Sequence, residues 1–142
     1  MRSFDEFIKE GIVIRISPDE HRAENLISES ERKYKLMKKT IRALGIDDEN
    51  ANEYVESCYN IIMFLVRAQM FKQGYKSSGQ SAHESEVAFT TKLGLTDSDI
   101  HFLDRLRYFR NGILYYGKRF DKEYAEKVIS FTDKKFETLR YS

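Results

Sequence analysis

The sequence predicts an all-α protein, an antiparallel up-and-down helical bundle of four to five main helices with a short N-terminal one. Three observations predict it. The 142 residues include a single proline, β-branched residues rarely run together, and apolar residues recur at three- and four-residue steps between clear helix start and stop signals. With 41% hydrophobic and 33% charged residues, the composition is that of a folded chain rather than a disordered one. The length suits one domain, residues 1–142, that can bury a sizeable core.

Ser3 and Glu6 have capping-box spacing, which predicts a short first helix stopping at Gly11. Ile12, Val13 and Ile14 then read as an extended connector that packs the amino terminus onto the bundle. Ser17, Pro18 and Glu20 predict a second helix from Pro18 to Leu44, closed by Gly45. Its buried face is Ile27, Tyr34, Met37, Ile41 and Leu44. Arg32, Lys35, Lys39 and Arg42 form a basic stripe on it, open to phosphate binding but read more simply as a solvated face near the negative helix end.

Asp47 or Asp48 should cap a third helix ending at Gln73. Its apolar positions fill two adjoining stripes, from Tyr54 to Ala68 and from Val55 to Met70, so this is the central, most buried helix. Cys58 on it reads as an inert core thiol, and Asn60 as a satisfied polar group near an edge. Gly74 to Gln80 reads as a mobile polar linker. Ser81 and Glu84 suggest a capping box for a fourth helix ending at Leu93. Thr96 caps the fifth, Gly117 closes or bends it, and Asp121 caps a last helix reaching about Tyr141.

Charge and cysteine content narrow the function. A net charge of +1 gives no global field to attract nucleic acid, so any such binding uses local patches. The single cysteine forms no internal disulfide, no Cys/His spacing suits a metal, and no cofactor fingerprint is present. Together with the absence of a signal peptide or spanning run, this predicts a cytoplasmic setting without membrane attachment.

The fifth helix holds the candidate site. Asp104, Arg107, Asn111, Tyr115 and Lys118 fall at steps of three, four, four and three and form one polar stripe. Leu103, Leu106, Arg110, Ile113 and Leu114 fall on an otherwise apolar face. Arg110 is the odd residue there, because a guanidinium leaves water only for a partner: a carboxylate, backbone carbonyls, a second subunit or a bound phosphate, unless it snorkels out.

Arg110-Asn111-Gly112-Ile113-Leu114-Tyr115-Tyr116, late in a helical bundle, resembles the arginine-asparagine-x-x-x-histidine motif of the HEPN family (higher eukaryote and prokaryote nucleotide-binding domains). The resemblance implies a dimerising helical bundle. It implies activity as a metal-independent ribonuclease of toxin–antitoxin systems, an RNA- or nucleotide-binding module, or a partner of a minimal nucleotidyltransferase. Arg110, Asn111 and Tyr115 stand at the catalytic positions. The motif residues Arg110, Asn111, Tyr115 and Tyr116, with Arg107 and Lys118 of the polar stripe, are the expected binding residues. Tyr115 replaces the motif histidine, and an unperturbed phenol near 10 is poorly matched to proton transfer at neutral pH. The expectation is therefore a non-catalytic or weakly catalytic RNA or nucleotide binder. A dimerisation or partner-docking module is the second reading and a ribonuclease the third. His21, His83 and His101 do not replace the lost group; His21 and His83 lie in first helical turns, and His101 is more than two turns from Arg110. A homodimer is expected because Phe102, Phe109, Ile113 and Tyr116 make a further stripe that one helix of a small bundle has little room to bury.

Overall fold

The computed structural model describes residues 1–142 and is an all-α bundle with one small two-stranded sheet. Helix α1 spans Phe4–Lys9, α2 Glu20–Leu44, α3 Ala51–Gln73, α4 Ala82–Phe89, α5 Asp97–Tyr116 and α6 Lys122–Arg140. Strands β1, Val13–Arg15, and β2, Tyr75–Ser77, pair antiparallel with Val13 opposite Ser77. No helix is long and apolar enough to cross a membrane.

The broad apolar arc of α3 makes it the hub. Tyr54, Val55, Cys58, Tyr59, Ile61, Ile62, Met63, Leu65, Val66, Ala68 and Met70 are all buried, and α2, α4, α5 and α6 all pack on this helix. Consecutive long helices alternate in direction. The Ser30 hydroxyl of α2 donates to the Ile61 carbonyl of α3 at 2.8 Å. Tyr34 stacks on Phe136 of α6, with ring centroids 4.3 Å apart, and Lys135 of α6 reaches Asp99 at the start of α5 at 2.9 Å. Burial raises the Cys58 thiol to about 12, which keeps it protonated and inert.

Several expected details differ. The segment Gly74 to Gln80 is not wholly a linker: Tyr75 is buried and starts β2, because β1 offers its backbone a ladder and Phe4 and Phe89 cover the Tyr75 ring. That same pairing carries the chain extended as far as Ile16, whose N–H donates to the Gly74 carbonyl at 2.8 Å. The second helix therefore starts at Glu20, with Asp19 and not Ser17 as its cap, accepting from the Arg22 N–H at 3.0 Å. Gly74 is required there: with φ +81°, an added Cβ would lie 2.6 Å from the Ile16 carbonyl oxygen.

The third helix begins at Ala51 rather than at an aspartate cap. Asp47 instead closes the preceding turn by accepting from the Glu49 and Asn50 N–H groups, and Asp48 accepts from the Lys122 N–H. The Ser81–Glu84 capping box is absent, because Arg2 takes both side chains at 3.2 Å. Helix α4 then tightens into a 3₁₀ turn, Thr90–Leu93. The capping box of α5 is present, Thr96 and Asp99 each bonding the other's backbone. Leu44, expected on the buried face of α2, is exposed at that helix's last turn.

Candidate functional site

Helix α5 is anchored by Leu103 and Leu106, both fully buried, and its last two turns rise out of the core. Gly117, with φ +64°, ends it and lets the Lys118 N–H turn back to the Gly112 carbonyl at 3.3 Å. The following loop is clamped by Asn52 of α3. The Asn52 amide donates to the Lys118 carbonyl at 2.8 Å, and its oxygen accepts from the Phe120 N–H at 2.8 Å. Arg119 adds bonds to the carbonyls of Asp48 and Glu49. Lys118 is thereby held against α5, and a Cβ added at Gly112 would lie 3.5 Å from its Cδ.

The predicted site residues separate into two groups. Asn111, Tyr115, Tyr116 and Lys118 line a cavity of about 300 Å³ together with Tyr108, Phe109 and Gly112. Tyr108, Tyr115 and Tyr116 are 69%, 75% and 82% exposed, so three phenol rings, an amide and an ammonium surround one cleft. Arg107 and Arg110 belong to the second group. Five residues of helix turn a side chain's direction by roughly 500°, so Tyr115 points about 140° away from Arg110. Within one chain they do not converge.

Arg110 lies toward α3, its guanidinium carbon 5.2 Å from the centre of the Tyr59 ring, a cation–π arrangement. Its Nε is buried and meets no hydrogen-bond acceptor. The two acids nearby are already taken. Arg107 Nε donates to Asp104 at 3.0 Å, and Arg67 holds Glu86 through two bonds of 2.6 and 3.0 Å. Of the partners open to Arg110, the structure supplies an aromatic face and no carboxylate.

Tyr59 joins this group to α4. Its hydroxyl lies 3.2 Å from His83 Nδ1, and Glu86 Oε1 lies 3.6 Å from the same nitrogen. Burial raises the Tyr59 phenol to about 12, with Glu86 adding to the rise and the arginines opposing it. His83 is held below the ordinary imidazole value, first by burial and then by Arg67, Arg110 and Arg107 against the pull of Glu86. Tyr59, Arg67, His83 and Glu86 were not assigned to the site by the sequence, since they come from two other helices. The available signal was a charged residue, Arg67 or Glu86, set among apolar neighbours.

The aromatic stripe of α5 is partly covered. Phe102 stacks on Phe131 with centroids 4.5 Å apart, and Phe109 packs against Phe120 and Tyr124 at 5.2 and 5.5 Å. Leu114, placed by sequence on the inner face, is 48% exposed, because it falls where α5 has left the core. No protein-family model, curated protein or solved structure matches the chain.

Proposed function

We propose that this domain is a HEPN-like module that binds single-stranded RNA or a nucleotide through the end of α5, with little or no catalysis. The observation carrying the reading is the cleft itself, where Tyr108, Tyr115 and Tyr116 stand exposed around Asn111 and Lys118. Phenol rings offer stacking faces to unpaired bases, an amide can bond a base edge, and an ammonium can meet a phosphate. Arg107 and Arg110 add positive charge on the neighbouring face. Tyr115 in the place of the motif histidine leaves no group suited to proton transfer at that position, so the purified protein cleaves RNA slowly or not at all.

Retention of a labelled single-stranded RNA, measured against salt, tests the reading. Affinity should fall with rising salt, and Tyr115→Ala should weaken it about 5- to 150-fold, the span of one lost stacking contact. Binding unchanged in both Tyr115→Ala and Lys118→Ala overturns it. The exposed Leu114 beside the cleft favours a second reading, in which the same end of α5 docks a second copy or a partner such as a minimal nucleotidyltransferase.

A further inference from the structure

Three helices contribute to the cluster around Tyr59, and its charges do not balance. Glu86 is matched by Arg67 and Asp104 by Arg107, which leaves Arg110 unmatched over the Tyr59 ring. Its buried Nε has no acceptor, although a half-buried guanidinium normally gives its donors to an anion or a carbonyl. At the hydroxyl end of Tyr59 stands His83, half exposed, with Nδ1 turned to the Tyr59 hydroxyl and Glu86. Its Nε2 is the nitrogen left for a ligand.

We propose that His83 and Arg110, both set against Tyr59 by α4 and α5, form a binding site for a phosphate group. This deepens the nucleotide reading above and rests on it only for the source of the phosphate. Arg110 supplies a planar fork of N–H donors suited to phosphate oxygens. His83 supplies a donor whose strength follows its protonation. A phosphate loses its second proton near about 6, so the bound dianion and a protonated imidazole stabilise one another. The groups that face His83 are Glu86 from its own helix, Tyr59 and Arg67 from α3, and Arg107 and Arg110 from α5. Among them the only carboxylate is Glu86, and Arg67 absorbs its charge. A carboxylate ligand carries a single negative charge where the phosphate dianion carries two, so it raises the imidazole less.

The test is an NMR titration of the imidazole signals in the full chain, which has three histidines, with His83→Gln identifying the one concerned. Inorganic phosphate should raise the His83 midpoint by about half a unit or more and leave His21 and His101 in place. Arg110→Gln should abolish the rise, and Tyr115→Ala should preserve it. Acetate at the same ionic strength should raise it less. A short oligoribonucleotide carrying a 5′-phosphate should act at lower concentration than inorganic phosphate if the ligand is a nucleic-acid end, and no better than its 5′-hydroxyl form if the ligand is free phosphate. No phosphate-dependent shift, an equal shift with acetate, or a shift that survives Arg110→Gln overturns the site. RNA retention that persists without the shift leaves the cleft reading standing, and a shift without RNA retention does the reverse.

Discussion

The Arg67 guanidinium grips the Glu86 carboxylate with two donors, Nε at 2.6 Å from one oxygen and a terminal nitrogen at 3.0 Å from the other. Glu86 is 3% exposed, and Arg67 is the cation that meets its carboxylate with hydrogen bonds. Removing one partner of a fully buried pair costs about 3–5 kcal/mol. Arg67 keeps contact with water, so Arg67→Ala, which leaves Glu86 buried and unpaired, should cost about 2–4 kcal/mol. Urea titration reads this. A loss below about 0.5 kcal/mol would show that the Glu86 carboxylate reaches water or another donor.

His83 gives stability a pH dependence whose sign is fixed by its depressed folded-state value. Between that value and the ordinary imidazole value near 6.5, the unfolded chain binds more protons than the folded one, so stability rises with pH across this window. Acidification from neutrality through the window should therefore destabilise the protein, and His83→Gln should flatten that part of the curve. Thermal melts at pH 5 to 7 measure it. An identical slope in wild type and His83→Gln would assign the dependence to other groups.

Asn52 and the loop before α6 give a local prediction. Its amide bonds both the Lys118 carbonyl and the Phe120 N–H, and each net hydrogen bond contributes about 0.5–1.5 kcal/mol. Asn52→Ala should cost about 1–2 kcal/mol, speed hydrogen exchange at Phe120, and weaken RNA retention because Lys118 loses its tether. Unchanged exchange at Phe120 would show that Arg119 and the Asp48–Lys122 bond hold the loop without Asn52.

The bundle was legible wherever a signal is local. Thr96 and Asp99 sit three residues apart and cap α5 as their spacing requires, and the apolar arc of α3 is buried as its periodicity demands. The β1–β2 pairing was not legible, because it joins Val13 to Ser77 and nothing within either short run identifies the other. The candidate site divides along the same line. Arg110 stands out as a charge on an apolar face, but what it meets, Tyr59 and beyond it His83, depends on how α3 and α4 dock. The extent of the α5 core face was overestimated at Leu114 because sequence periodicity does not say where a helix leaves the core.

Leu65 is fully buried at the centre of α3, and truncation to alanine leaves a cavity that the surrounding helices only partly close. The cost should be about 2–5 kcal/mol in a denaturant titration. A cost under about 0.5 kcal/mol would show the register of α3 to be wrong.

The last prediction is that the protein forms a homodimer through the end of α5. The packing of Phe102 on Phe131 and of Phe109 on Phe120 and Tyr124 removes part of the apolar surplus that a dimer was expected to cover. What stays exposed is Leu114 with Tyr108, Tyr115 and Tyr116, a mixed apolar and aromatic patch of the kind enriched at interface centres. A two-fold pairing places the same patch on both copies, so one substitution acts twice at the contact. Light scattering at micromolar concentration should give twice the 16.8 kDa chain mass, falling toward it on dilution, and Leu114→Glu should yield monomer that keeps the helical content of the bundle. Pairing α5 end to end also brings each Tyr115 near the other copy, so Leu114→Glu should change RNA retention only if the cleft is shared between copies. A mass of one chain at every concentration, unaffected by Leu114→Glu, would sink the dimer and leave this patch to the ligand.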